Sequence, residues 1–224
     1  MRAAECRRRK ALFDAGVVFE AGAVIAVLDY GIGNLRSAEK ALQHVGADAV
    51  LVTDPAVASE AAGVVLPGVG NFGRCVEALR ASGLDRAVSR AVASGKPVLG
   101  ICVGMQMLYE GSEESPGVKG LGVLAGVVAR LPGGVKHPQM QWNRLLECGA
   151  PCGLLDGLGA DPWVYFVHSY APPASEDVVA TCDYGGPVVA AAARGPVWAT
   201  QFHPEKSGPT GLAVLANFAA RARG

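Results

Sequence analysis

The stretch AVIAVLDYGIGNLRSAEKALQHVG, residues 23–46, decides the reading of the fold. Ala23–Leu28 is a short apolar run rich in Val and Ile, and Asp29-Tyr30-Gly31-Ile32-Gly33 is a Gly-rich turn. Together they read as a buried strand feeding a tight turn. Leu35, Ala38, Leu42 and Val45 then recur at helical spacing, and Gly46 stops the helix they define. The unit repeats further on. Ala49–Val52 and Gly63–Leu66 read as strands, Val76 to Ser94 as helix broken near Ser82-Gly83 and at Gly95, and Pro97–Ile101 as another buried strand. Strands alternating with helices predict an α/β fold with a mostly parallel central sheet flanked by helices.

The second half changes character. Leu121–Leu131, Trp163–Val167, Val178–Cys182, Val188–Ala193 and Val197–Thr200 read as strands separated by Gly and Pro turns. Such short connections predict hairpins, so antiparallel strands are added to the sheet. A last helix is expected from about Thr210 to Arg221. The 224 residues suit one domain, and 50% hydrophobic residues against 18% charged ones supply a core.

Twenty basic residues balance twenty acidic ones, which argues against nucleic acid as a partner. Residues 1–20 hold five basic and three acidic side chains, leaving a net −2 on the rest of the chain. The basic run Arg7–Lys10 reads as a solvated tail. No apolar stretch reaches the roughly 18 residues that a membrane span needs, and Asp14 interrupts the only candidate signal core. The six cysteines (Cys6, Cys75, Cys102, Cys148, Cys152, Cys182) are scattered, which fits cytosolic thiols and a cytoplasmic protein. Cys148 and Cys152 lack a second ligand pair, so no metal site is expected.

The chemistry centres on Gly100-Ile101-Cys102-Val103-Gly104, between a buried strand and the helix-compatible Met105–Tyr109. A nucleophile flanked by small residues at a strand-to-helix turn is an elbow. It sets the sulfur at the carboxyl end of the sheet, where open α/β sheets bind ligands. The helix start favours the thiolate, and the Val103 N–H can serve an oxyanion. A thiolate needs a base and the base an orienting group. Of His44, His137, His168 and His203, the last stands in Gln201-Phe202-His203-Pro204-Glu205. Pro204 holds His203 extended, and in extended chain Glu205 falls on the same side. Cys102, His203 and Glu205 therefore form a candidate triad.

Pro67-Gly68-Val69-Gly70, the cysteine elbow through Gln106 and His203-Pro204-Glu205 resemble class I (triad) glutamine amidotransferases, a flavodoxin-like fold. The stretches 29–37, Tyr165–Tyr170 and Gln201–Ser207 resemble, more narrowly, the glutaminase subunits of imidazole glycerol phosphate synthase, over about residues 23–222. The resemblance implies hydrolysis of glutamine to glutamate and ammonia through a Cys102 thioester, in histidine biosynthesis. It implies a separate cyclase (β/α)8-barrel partner that receives the ammonia as a heterodimer, and no metal or organic cofactor. Val103, Val69 and Gly70 would form the oxyanion site, with glycines that let its peptide turn. Gly68, Gln106, Glu114, Ser169 and Tyr170 would hold glutamine. Asn34, Trp142, Tyr165 and Lys206 match the barrel interface, with core packing the lesser alternative for Trp142.

Two departures stand out. Gln141 occupies a position where the family usually has glycine, and residues 1–22 precede the family pattern. Those residues are expected to be a disordered extension or a non-native start, with the amidotransferase domain at 23–222. Two other functions compete with this one. A glutaminase of another amidotransferase, such as pyridoxal phosphate synthase, would carry a Gly-Gly-Glu-Ser type segment, unlike Gly68-Val69-Gly70-Asn71. A silent amidotransferase-like binding module would tend to lose the Cys or the His, and both are present.

Overall fold

The first strand of the computed structural model, which describes residues 24–224, is β1 (Val24–Leu28), followed by the turn and helix α1 (Leu35–His44). The chain continues through β2 (Asp48–Val52), α2 (Pro55–Glu60), β3 (Gly63–Gly68), α3 (Phe72–Ala81), α4 (Leu84–Ala93), β4 (Val98–Cys102) and α5 (Val103–Met107). The expected extension at 1–22 lies outside the described residues. Helix α1 buries Ala38 and Leu42, as its periodicity requires, and also Glu39. The carboxylate of Glu39 accepts the Leu51 N–H at 3.1 Å, which offsets the cost of its burial. The predicted break at Ser82-Gly83 separates α3 from α4, with Gly83 left-handed at φ +73°.

Beyond α5 the strands are β5 (Gly111–Ser112), β6 (Val127–Arg130), β7 (Gln139–Arg144), β8 (Leu146–Glu147), β9 (Trp163–His168), β10 (Tyr170–Ala171), β11 (Val178–Asp183), β12 (Pro187–Arg194) and β13 (Val197–Thr200). A 3₁₀ turn, Pro204–Lys206, leads into α6 (Gly208–Arg223). The long strand expected at Leu121–Leu131 shrinks to β6, because Gly122 and Gly126 adopt positive φ and break the extended run.

The main sheet runs β2-β1-β3-β4-β13-β12-β11-β8. Pairs from β2 to β13 are parallel and those from β13 to β8 antiparallel, so the expected mixed architecture holds. Smaller sheets join β10-β6-β5 and β7-β9. Strands β1, β3 and β4 are buried throughout, the mark of parallel strands covered on both faces. Helix α6 closes one face, where Phe218 meets Trp198 edge-on at 6.4 Å and the Arg221 guanidinium lies 4.6 Å from the Trp198 ring centre. No described helix is long and apolar enough to cross a membrane.

This topology positions the site. Strands β3, β4 and β13 are adjacent and parallel, so their carboxyl ends meet at one edge. Gly68 pairs with Cys102 and Ile101 with Thr200, which sets Pro67–Gly70, Cys102 and His203 side by side.

Candidate active site

Cys102 is the only non-glycine residue with positive φ among the described residues, at φ 55° and ψ −113°. Such a backbone costs about 1–3 kcal/mol and persists only where the surroundings enforce it. Here they do. A Cβ on Gly104 would fall against the Leu66 carbonyl oxygen, and one on Gly68 would sit 2.7 Å from the Gly104 nitrogen. Glycine at both positions lets β3 and the elbow approach this closely. The helix behind the cysteine begins at Val103, two residues earlier than the sequence suggests, because the turn is completed by Cys102 itself.

His203 is 2% exposed, and its Nδ1 lies 2.8 Å from Glu205 Oε1. The reach differs from the extended-chain expectation. Glu205 lies in the 3₁₀ turn that Pro204 initiates, and that turn carries the carboxylate back to the ring. Burial alone pushes the His203 pKa down. The Cys102 sulfur and the Glu205 carboxylate beside it outweigh burial and hold it up at about 10. Glu205 Oε1 also accepts from Asn34 Nδ2 at 3.2 Å, so Asn34 spends its amide on this carboxylate.

Strand β9 and Ser207 fix the histidine backbone. The His203 N–H donates to Tyr165 O at 3.0 Å. Ser207 Oγ accepts the Tyr165 N–H at 2.9 Å and donates to His203 O at 2.7 Å.

A cavity of about 290 Å³ opens over the sulfur, near the lower end of the range for small-molecule sites. Of the residues singled out from sequence, Val69, Gly70, Cys102, Val103, Gln106, Glu114, Ser169, Tyr170 and His203 line it. Gly68 and Glu205 line the crevice behind it with Asn34. Glu114 Oε2 accepts the Phe72 N–H at 2.7 Å, at the start of α3. The segment from Pro67 to Gly70 is anchored on both sides. Tyr30 donates its hydroxyl to Pro67 O at 2.6 Å, and Cys75 donates its thiol to Val69 O at 3.3 Å. Burial raises both pKa values, which keeps both groups protonated as donors.

Sequence reasoning assigned no role to three residues at this site. His168 is buried against the cavity, and burial lowers its pKa to about 4, so it is neutral. Its Nδ1 lies 2.8 Å from Tyr170 O, a carbonyl that can only accept, so the proton resides on Nδ1. Gln201 is fully buried, with Nε2 3.7 Å from Cys102 Sγ. Cys75 stands beneath Val69. Gln201 stands two residues from His203 and His168 lies within the stretch Tyr165–Tyr170, signals present in the sequence; Cys75 carried none.

Trp142 and Tyr165 pair across β7 and β9, with ring centres 6.2 Å apart. Trp142 is 48% exposed, which excludes core packing, and Met140 and Trp163 are exposed on the same small sheet. Lys206, next to Glu205 in the chain, is exposed. Gln141 is exposed within β7, opposite Phe166. No group of metal-ligating side chains occurs among the described residues.

A cysteine elbow, a buried His–Glu pair and a cavity between parallel strand ends define a class, and sequence comparison agrees: the chain belongs to the class-I glutamine amidotransferase family, whose profile matches residues 26–222. Within that family the similarity is to one kind of subunit. The chain is 49% identical over 199 residues to imidazole glycerol phosphate synthase subunit HisH of Synechococcus elongatus, covering 87% of this chain and 91% of the relative. It is 48% identical over 196 residues to the HisH subunit of Methanothermobacter thermautotrophicus, covering 87% and 97%. A crystal structure of a glutamine amidotransferase superposes with TM-score 0.69 at 23% identity, covering 88% of this chain and 98% of that one. PurLQS from Thermotoga maritima superposes with TM-score 0.67 at 18% identity, covering 88% and 97%. These two establish the shared fold.

Proposed function

We propose that this chain is the glutaminase subunit of a cytoplasmic imidazole glycerol phosphate synthase. It works in histidine biosynthesis and delivers ammonia to a cyclase barrel subunit. The observation that carries the reading is Cys102 on a strained elbow facing a buried His203 whose far nitrogen is held by Glu205.

Cys102 attacks the side-chain carbonyl carbon of glutamine. His203 supplies the proton with which the amide nitrogen leaves as ammonia. Water, deprotonated by His203, then hydrolyses the thioester and releases glutamate. Glu205 holds the imidazole by its Nδ1 side, leaving Nε2 for the reacting atoms. The Val103 and Val69 N–H groups meet the tetrahedral oxyanion, and loss of one such donor costs about 10²–10³ in rate. Gly68 and Gly70 let the peptides around Val69 turn, while Tyr30 and Cys75 hold their ends. Glu114, with one oxygen engaged at Phe72, turns its charge toward the ammonium of the substrate. Ser169 and Tyr170 meet the substrate through their backbone, and Gln106 meets it through the oxygen its donors leave open. Trp142, Tyr165 and Lys206 form the docking face for the barrel. Asn34 borders that face and acts on Glu205.

Ammonia release from glutamine by the full chain, with and without the barrel subunit and its ligand, tests the reading. Low activity alone and a large rise in the complex are expected, with Cys102→Ala inactive in both. Undiminished activity of Cys102→Ala would overturn it.

A further inference from the structure

A chain of side-chain amides runs under the cavity, and each atom in it has its role dictated by the one before. It starts at the Tyr170 carbonyl, which can only accept. The Gln106 atom 2.9 Å from that oxygen is therefore the amide nitrogen. The same nitrogen lies 3.0 Å from Gln201, so the Gln201 atom facing it must be the acceptor, Oε1. That leaves the Gln201 NH₂ group pointing the other way, at Cys102 Sγ 3.7 Å distant. Gln201 has no exposed surface and Gln106 only 3%, so neither amide has bulk water as an alternative partner.

The sulfur therefore sits in front of a fixed donor. Its own route as a donor is poorer, since the hydrogen bond it makes to Val167 O spans 4.0 Å. A donor aimed at sulfur stabilises the anion more than the neutral thiol.

We propose that Gln201 is a further catalytic residue, donating its side-chain amide to Cys102 Sγ whenever that sulfur carries negative charge, with Gln106 as the positioning residue that fixes the amide's orientation. The charge appears twice in the cycle. Before acylation, the sulfur electron pair is free to form the C–S bond to the glutamine side-chain carbon. The C–N bond then breaks, and nitrogen leaves with its pair, taking a proton from His203. In deacylation, water loses a proton to His203 and adds to the thioester carbon. The C–S bond breaks and its pair returns to sulfur, where the Gln201 amide receives it. Glutamine and water are the only reactants required. Tyr170 O also binds His168 Nδ1, so the backbone that lines the glutamine cavity anchors both His168 and the amide chain.

The inference rests on Cys102 being the nucleophile. The test is the rate of Cys102 alkylation by iodoacetamide against pH in the full chain, located by mass spectrometry. Gln201→Glu keeps the volume and an oxygen for Gln106 but replaces the donor facing sulfur. Gln201→Met removes donor and acceptor alike at similar volume. In both, the midpoint of the alkylation profile is expected to rise by about one pH unit. The thiolate fraction below the midpoint then falls about tenfold. Intrinsic nucleophilicity rises as thiolate basicity rises, so the net loss in alkylation there is about threefold. The glutaminase kcat is expected to fall with KM little changed.

A profile that does not move, in variants that melt at the wild-type temperature or below it, would overturn the proposal and leave Gln201 as a packing residue. Should a variant fail to fold, the wild-type chain decides. The Gln201 side-chain amide NMR signal is expected to titrate with the midpoint of Cys102 alkylation, and a pH-independent signal would overturn the proposal. Retained activity in Cys102→Ala would instead overturn the glutaminase reading, so the two failures are distinguishable.

Discussion

Substituting Glu205→Gln removes the charge of the proposed triad while preserving its shape. Both donors on Glu205 Oε1, His203 Nδ1 at 2.8 Å and Asn34 Nδ2 at 3.2 Å, find the carbonyl oxygen of Gln in the same place. What disappears is the carboxylate. A hydrogen bond to a charged group contributes about 1.5–3 kcal/mol and a neutral one about half as much, a difference of about 1 kcal/mol. One pKa unit is 1.36 kcal/mol, so His203 is expected to fall by about one unit from its raised value near 10. The same difference in imidazolium stabilisation predicts a loss of about tenfold in partner-stimulated ammonia release. The shift has a sign in stability as well. The unfolded chain releases this proton near the ordinary histidine value of about 6.5, whereas the fold keeps it to about pH 10. His203 therefore contributes fully below about pH 6.5, and the contribution is lost as pH rises toward 10. In Glu205→Gln this alkaline loss becomes shallower by about 1 kcal/mol. NMR titration of the His203 ring and denaturant melts between pH 6 and 10 measure both effects. An unchanged ring titration, together with an unchanged alkaline slope, would refute the account of the pair.

His168 predicts the opposite limb. Its folded pKa, lowered by burial to about 4, against about 6.5 unfolded, gives stability that is present above pH 6.5 and lost as pH falls to 4. The loss is about 3 kcal/mol, and urea melts of His168→Gln should show a flatter acid limb than wild type. At the proposed docking face, Trp142→Ala and Lys206→Ala alter exposed side chains, so their melting temperatures should stay near that of wild type. A Trp anchor contributes about 2 kcal/mol or more, so calorimetric titration with the barrel subunit should show Trp142→Ala binding about thirtyfold weaker. Unchanged affinity would remove these residues from the interface.

The parallel half of the fold was legible because each buried strand is an apolar run closed by glycine or proline, as in Ala23–Leu28 and Pro97–Ile101. The elements that escaped are of another kind. Strand β7, Gln139–Arg144, offers only Met140 and Trp142 as apolar residues among polar ones, and both stand in the open, while its pairing partner β9 lies far along the chain. Helix α2 has only six residues and announces itself only by Asp54, whose side chain accepts the Ala56 N–H, and by Pro55 at its start. Conversely, Leu121–Leu131 looks like a strand by composition, yet its two positive-φ glycines permit extended pairing only in its last residues.

The site divides along the same line. Cys102, His203 and Glu205 were readable because each is tied to its own segment: a strand-to-helix turn between glycines, and a proline that fixes the backbone between base and carboxylate. What each segment's neighbours do was not readable. Asn34 reaches Glu205 across 171 positions of chain, Gln106 reaches Gln201 across 95, and Gln201 reaches Cys102 across 99. These partners are assembled by the parallel order β1-β3-β4-β13, which brings the segments after β1, β4 and β13 to one edge of the sheet. Only the assembled order reveals that the two glutamine amides leave a donor in front of the sulfur. Charge placed by local sequence can be inferred from spacing, whereas the orientation of a neutral amide follows from the acceptor that faces it, and here that acceptor is the carbonyl of Tyr170, 64 residues beyond Gln106.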